Sequence, residues 1–554
     1  MMISEEVYYN EVLGVMPRIL NLLNRNAASK SFGSFDRDYW NYKAFDISCA
    51  RKQEAALTLA LIYKIKKKNK YLNSKLILEW INAALIFWTK IQNKNSSFDE
   101  VYPNENAFNT TAFTSYTTSE TLLQLKDEEI QNKDLIIASL KKAGDWLLNK
   151  EEGKVFNQET GAAIALYNIY LLTKEDKYRA DAENKIRHIL KHQMSEGWFY
   201  EYGGADIGYL SLSIDYLAKY YQKTNDKQLL AALKKAVNFI SYFVHPDYTF
   251  GGEYGSRNTE YMIPHGFEIL SKEIHTAAEI CQAIRHAISI RSTVAPSTID
   301  DKYLLFNSYT YLQAYIDSSN NKVTEKLPYK QNFTKMFKES CLWINSNNYA
   351  YTLANYKKGG AIKVIYKENK NSIDDSGIVI KYKNNKILTS GNLSNNNSVH
   401  VIRSKLQIKG YLGELPDISI SPLKFILLRS FQITFGRSEK ISLRLKNMLR
   451  KSLIMKNKQT SKEFARDIEI QEDRIIVVDN VDYSKNIDFI IVSSKNSTIY
   501  GSSSRYFQES DLCTLPITYN VAKMKRTNKI KHIKIIREYD TKGKIIRSEL
   551  IFVN

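Results

Sequence analysis

Along residues 45–320 apolar side chains recur at intervals of three and four, the period of a helix that buries one face. The stretches Ala55–Tyr63, Leu76–Trp88, Ala112–Leu125, Leu135–Leu148, Ala162–Leu172, Tyr178–Leu190, Gly208–Tyr220, Leu229–Phe243 and Glu268–Ile288 predict helices. The loops between them alternate in character. Some are short and polar, such as Thr224-Asn-Asp226; others are long and rich in Gly and aromatics, such as Glu196-Gly-Trp-Phe-Tyr-Glu-Tyr-Gly-Gly-Ala-Asp206. Stacked helical hairpins with one elaborate set of loops predict an α/α solenoid or toroid with a binding face at one end. After about residue 330 the period shortens. Runs rich in β-branched and aromatic residues (Tyr349–Ala354, Ala361–Tyr366, Gly377–Tyr382, Val399–Ile408, Ile468–Val478, Phe489–Val492, Ile533–Tyr539) alternate with Asn-, Gly- and Ser-rich turns. They predict an antiparallel β-sandwich. The expected chain is α+β and multidomain: a closing segment at 1–44, an α/α toroid at 45–325, and a sandwich at 326–554 interrupted at about 421–460.

Charge sharpens this division. Residues 1–320 hold 37 Lys+Arg against 38 Asp+Glu, while residues 321–554 hold 42 against 21. The whole excess of +20 therefore lies in the C-terminal part, which suits a polyanion or an anionic membrane surface as neighbour. Zinc-finger spacing, an RNA-binding signature and a basic zipper are all missing, so nucleic acid is not expected. The interruption at 421–460 mixes ten basic residues and one acidic, Glu439, with Leu, Ile and Phe. It reads either as a basic amphipathic helix at a membrane surface or as a helical insertion on the sandwich. Four scattered cysteines, Cys49, Cys281, Cys341 and Cys513, fit neither a disulfide framework nor a Cys-type zinc site. The acidic start Met1-Met-Ile-Ser-Glu-Glu lacks the character of a signal peptide, and no apolar run is long enough to span a bilayer. The expected location is cytoplasmic, with peripheral contact at the inner membrane face as an option.

Two Gly- and aromatic-rich loops break the helical period. One is Glu201-Tyr-Gly-Gly-Ala-Asp206; the other is Gly251-Gly-Glu-Tyr-Gly-Ser-Arg-Asn-Thr-Glu260, followed by Pro264-His-Gly266. Glycines allow close backbone approach, and loops on a rigid scaffold are where catalysis concentrates. The alternative is a pair of structural turns whose charges satisfy each other. A third cluster, Gly33–Lys43 with Arg51, offers Trp40 for stacking on sugars and Arg37, Lys43 and Arg51 for carboxylates or sulfates; its alternative is a closing segment held by internal ion pairs. The stretch Tyr102-Pro-Asn-Glu-Asn-Ala-Phe-Asn109 adds Asn106 and Asn109. Trp198, Glu201, Tyr202, Asp206 and Glu253 complete the expected substrate contacts.

A helical domain followed by a β-sandwich, with Tyr, Arg, Asn and His in loops, resembles the heparinase II/III-like polysaccharide lyases and the related uronosyl C5-epimerases. The resemblance spans most of the chain in architecture and is partial in motifs. It implies a metal-independent enzyme without cofactor that removes the C5 proton of a uronosyl residue in an anionic glycan. Such a hydrogen becomes acidic only when hydrogen bonds or positive charge stabilise the enolate, with a base in reach. Carried over, Tyr254 is the base or acid, Arg257 and Asn258 hold the carboxylate, His265 is a second proton-transfer group, and Glu260 or Glu253 orients Arg257. The separate Asn- and His-containing motifs of those lyases have no clear counterpart; Asn106 and Asn109 are the candidates for the Asn. Two rival readings stand beside it. A toroid glycoside hydrolase would pair two of Glu201, Asp206, Glu253 and Glu260 across the sugar. A non-catalytic scaffold would bind glycan at the membrane without turnover.

Overall fold

The computed structural model describes residues 3–319, 326–415, 421–449, 458–495, 516–524 and 530–554; Cys513 lies outside them. Its N-terminal part is a closed double ring of helices. The inner ring consists of α3 (Ala55–Lys64), α5 (Phe108–Gln124), α7 (Phe156–Thr173), α9 (Ile207–Thr224), α11 (His265–Leu270) and α13 (Asp301–Asp317). Each packs on the next, and α13 returns to α3. The outer ring is α4 (Lys75–Lys90), α6 (Lys133–Leu147), α8 (Asp176–Lys191), α10 (Lys227–Ile240), α12 (His275–Ser289) and α1 (Glu6–Leu22), which lies against α13 and α12. The segment before residue 45 thus supplies an outer helix of the ring, with a short turn of helix, α2 (Arg37–Trp40), after it.

The two rings differ in sequence for a physical reason. Outer helices meet solvent on one side, so they are amphipathic: α10 buries Leu229, Leu233, Ala236, Val237 and Ile240 and exposes its lysines. Inner helices are buried nearly all round. Much of α5 is nevertheless Thr and Ser, whose hydroxyls satisfy themselves on backbone carbonyls of the preceding turn, as Thr114 does on Thr110 and Thr121 on Thr117. Periodicity therefore places the start of α5 too late, at residue 112 instead of 108. The expected single helix Glu268–Ile288 is two helices, α11 and α12. The break falls where Ser271 bonds the Glu268 carbonyl and the backbone extends at Ile274. Gly266 permits α11 to cross α9 closely; a Cβ there would lie 2.6 Å from the Asp215 Cα.

The C-terminal part is two antiparallel sheets packed face to face. The first is β1 (Phe333–Phe337), β2 (Leu342–Ser346), β3 (Ala350–Asn355), β4 (Ala361–Tyr366) and β5 (Ser372–Asp375), in sequence order. The second contains β6 (Val379–Tyr382), β7 (Ile387–Thr389), β8 (Ser398–Ile402), β9 (Lys405–Glu414), β10 (Gln459–Ile470), β11 (Arg474–Asp482), β12 (Ile487–Val492), β13 (Ile517–Asn520), β14 (His532–Asp540) and β15 (Ile545–Val553). It runs β13-β12-β6-β7-β9-β10-β11-β14-β15, with β8 beside β9. Two expected strands are hairpins. Val399–Ile408 turns at Arg403, whose φ of 52° reverses the chain, and Ile468–Val478 turns where the Gln471 N–H meets the Arg474 carbonyl. Trp343, Ile362, Leu406, Ile468 and Ile535 fill the space between the sheets. In the same layer Arg466 and Arg537 are fully buried against Asp375 and Asp479, joining β5 of one sheet to β10, β11 and β14 of the other. The interruption at 421–460 is a helical hairpin, α14 (Pro422–Thr434) and α15 (Glu439–Leu449); residues 450–457 lie outside the described chain.

Candidate active site

Inner and outer helices alternate in direction, so all inner helices start at the same end of the ring. A cleft of about 460 Å³ opens at that end. The first turns of α5, α7, α9 and α13 supply Asn109, Asn157 and Gln158, Tyr209, and Lys302 and Tyr303. Helix N-termini carry partial positive charge and unpaired N–H groups, so this rim favours an anionic ligand. Arg51, Arg257 and Lys302 add formal charge on the toroid side, and Lys446 and Leu449 of α15 complete the wall.

Each of these side chains is held from behind. The fully buried Glu201 accepts both the backbone N–H and the side-chain amide of Asn157, each at 2.8 Å. Burial raises the pKa of Glu201 well above its ordinary value, against the pull of those two bonds. Asp206 caps α9 by accepting the Tyr209 N–H at 3.3 Å and, with its other oxygen, accepts the Arg257 N–H at 2.8 Å. One carboxylate therefore fixes Tyr209 relative to Arg257. The Arg257 guanidinium lies over the Tyr202 ring at 4.7 Å, and Tyr209 sits beside Tyr202 and Tyr261. Arg51 is wedged between the Phe113 and Phe306 rings and pairs with Glu54 at 2.6 Å. Burial pushes the Glu54 carboxyl up to about 7 although Arg51 pulls it down. Glu100 accepts from Asn109 at 2.9 Å and meets Lys302 at 3.2 Å. Burial opposes its charge, but Arg51 and Lys302 outweigh that and hold its pKa below the usual range.

Of the residues singled out in the sequence, Arg51, Asn109, Tyr202 and Arg257 line this cleft. The others lie elsewhere. Tyr254 points into the core: it is fully buried, stacks on Phe243, and its hydroxyl bonds His245 Nε2 at 2.9 Å. Burial raises its pKa well above that of an ordinary phenol, and burial lowers that of His245 well below the usual imidazole. Asn258 turns toward the sandwich, where Lys358 donates to its side-chain oxygen and to the Gly255 carbonyl. Glu253 is buried in the same seam and lends its carbonyl to Lys358; Glu260 meets Lys495 at 3.5 Å. His265 is buried between Asp215 and Asp317, at 3.5 and 2.7 Å. Burial works against the charge of this imidazole, but the two carboxylates outweigh it and raise its pKa. Trp198 is core, its indole N–H donated to Glu196. Trp40 donates to the Leu22 carbonyl, Arg37 stacks on Tyr42, and Lys43 is exposed on a turn with φ of 54°. Asn106 is spent on its own turn, bonded to Asn95 and Ser97. Glu201 and Asp206 stand behind the cleft as described.

The loop 251–260 explains why neighbours part company. Gly251 has φ of 62°, and a Cβ there would lie 2.0 Å from the Thr259 carbonyl oxygen, so the loop ends are pinched together. The resulting knot presents residue 257 to the toroid cleft and residues 254 and 258 to the sandwich, where Asn355 bonds the Tyr254 carbonyl at 2.7 Å. Cleft residues that were not singled out in the sequence include Asn157, Gln158, Tyr209, Tyr261 and Lys302. Tyr209 carried a usable signal, since it follows the N-cap Asp206 by three residues at the mouth of a Gly-rich loop.

Residues 39–263 match the ulvan lyase N-terminal domain family. No curated protein matches the chain in sequence. Among solved structures, a chondroitin AC lyase of Streptomyces coelicolor A3, determined in complex with chondroitin sulphate, superposes with a TM-score of 0.54 at 9% identity, over 87% of this chain and 67% of that one. Heparinase III superposes with a TM-score of 0.50 at 10% identity, over 100% of this chain and 92% of that one. Residues 39–263 are thus similar to the ulvan lyase N-terminal domain, and the chain as a whole has a toroid-plus-sandwich fold like that of these two solved structures.

Proposed function

We propose that the protein is a polysaccharide lyase acting on a uronate-containing anionic glycan, with the cleft at the inner-helix N-termini as its active site. One observation carries this reading: Asn157, held by Glu201, and Tyr209 and Arg257, tied together by Asp206, all open on one cleft. The uronate carboxylate lies against the Asn157 amide and the Arg257 guanidinium, which stabilise the enolate as charge moves onto it. Tyr209 takes the C5 proton. The electron pair forms the C4–C5 double bond, the C4–O bond breaks, and the departing oxygen receives a proton, with Tyr209 or Tyr261 as donor. Return of a proton to the opposite face of C5 in place of C4–O cleavage gives the epimerase outcome from the same residues.

The hydrolase reading has less support. Glu201, Asp206, Glu253 and Glu260 are absent from the cleft lining, and the acids that line it, Glu100 and Glu105, are paired with Lys302 and Lys446. A setting in intracellular glycan assembly belongs to the same proposal and rests on the basic C-terminal part. Incubation with uronate oligosaccharides in deuterated water separates the outcomes. New ultraviolet absorbance marks elimination, and deuterium at C5 without it marks epimerisation. Neither signal, or reducing ends released without unsaturation, overturns the proposal.

A further inference from the structure

The α14–α15 hairpin is amphipathic in the inverted sense. It is tied to the toroid by polar groups: the Gln432 carbonyl accepts from Asn104, Ser442 donates to the Asn104 carbonyl, and Lys446 and Arg429 meet Glu105 and Asp46. Leu445 is buried and Leu449 turns to the cleft, but most of its large apolar side chains face solvent. Leu423, Phe425, Ile426, Leu427, Phe435 and Leu443 are each more than half exposed. A surface hairpin in water alone has the opposite arrangement, and a contiguous exposed apolar patch marks an interaction site.

The charges identify the occupant. Residues 421–449 contain six basic residues and one acidic. Lys424, Arg437, Lys440 and Arg444 are exposed among the apolar side chains, and the single acid, Glu439, is paired with Lys150 of the toroid. A surface that fits this face must be apolar within and anionic at its edge. A soluble glycan offers no apolar interior, and a second copy would bring like charge against like. We propose that the hairpin is a docking surface for an anionic lipid bilayer, with the apolar side chains below the headgroups and the four cations among them. Because the same hairpin lends Lys446 and Leu449 to the cleft, docking sets the cleft mouth beside the membrane, where it meets a glycan that is lipid-attached. That last step rests on the active-site reading above; the docking itself does not.

The test is cosedimentation of the full chain with vesicles of phosphatidylglycerol mixed with phosphatidylcholine, against phosphatidylcholine alone. Binding to the anionic vesicles is expected, weakening with added salt. Phe425→Ser with Leu427→Ser, and separately Lys440→Glu with Arg444→Glu, should each weaken it about tenfold or more. Circular dichroism checks that the variants are folded. Arg257→Ala should bind vesicles like the wild type, and the Phe425/Leu427 variant should keep turnover of a soluble oligosaccharide, so failure of docking and failure of the active-site reading are told apart. The proposal is overturned if the chain stays in the supernatant with both vesicles, or if the serine variant binds undiminished. It is equally overturned if those serines abolish self-association or soluble-glycan binding while vesicle binding is missing.

Discussion

Glu201 holds Asn157 by two hydrogen bonds of 2.8 Å, one from the backbone N–H and one from the side-chain amide. The amide is thereby aimed before any ligand arrives, and a preorganised donor at a developing oxyanion is worth about 10²–10³ in rate. Asn157→Ala should lower kcat/KM by about that factor. Glu201→Ala should lower kcat with a smaller change in KM, and Glu201→Gln should recover part of the loss because one acceptor remains. Steady-state kinetics on a uronate oligosaccharide give both numbers. Wild-type kcat in Glu201→Ala would show that the amide needs no such support.

The two tyrosines flanking Asp206 in space should behave oppositely. Tyr209→Phe removes the hydroxyl of a residue that lines the cleft and should abolish turnover while leaving the fold intact. Tyr254→Phe removes a buried hydroxyl bonded to His245. It should keep most activity and cost about 1 kcal/mol of stability. Turnover and thermal melting of both variants decide between them; loss of turnover only in Tyr254→Phe would move the chemistry to the seam between the domains.

Glu54 should impose a pH dependence on substrate binding. Its carboxyl titrates at about 7, raised by burial from the ordinary 4.5. Below that pH it is neutral and leaves Arg51 with Glu100 as its remaining carboxylate neighbour; above it Glu54 adds a second negative charge beside Arg51. KM for an anionic substrate should therefore rise as pH passes upward through about 7. The sign for stability follows from the same shift. The folded state binds the proton more tightly, so Glu54 weakens folding progressively from about 4.5 to about 7. In Glu54→Gln the KM step should vanish. A KM profile that stays unchanged in the variant would assign the step to another group.

The sandwich should depend on its buried ion network. Arg466 and Arg537 meet Asp375 and Asp479 with no exposure to solvent. Removing one partner leaves an uncompensated buried charge, at about 3–5 kcal/mol. Asp375→Ala should lower the denaturation midpoint by an amount of that order, whereas loss of a surface pair such as Arg474–Asp473 should change it by less than about 1 kcal/mol. Equal effects in chemical denaturation would show that the network contributes nothing beyond a surface pair.

Helical and strand periods told the two halves apart in the sequence because most elements there bury one face and expose the other, as α10 and β11 do. Where burial is complete the signal fades. The Thr-rich start of α5 carries no apolar stripe, so the apolar period begins only at Ala112 although Asn109 already stands in the helix's first turn. The break between α11 and α12 is likewise invisible in apolar spacing, since it is made by Ser271 on a backbone carbonyl.

The Gly251–Glu260 loop shows what sequence alone determines and what folding decides. Composition marked it as a place of unusual backbone and dense chemistry, and that follows from local physics: glycines at positive φ and polar side chains between helices. Which of its side chains meets a substrate is not local. Arg257 reaches the cleft because Asp206, some fifty residues earlier, accepts its N–H, while Tyr254 and Asn258 are drawn to the sandwich by Asn355 and Lys358, about a hundred residues later. Asn157 and Tyr209 become neighbours of Arg257 only because the closed ring brings the N-termini of α7 and α9 to one end. The residue types that can do the chemistry are written in the chain, and the choice among them is made by contacts between segments that are distant along it.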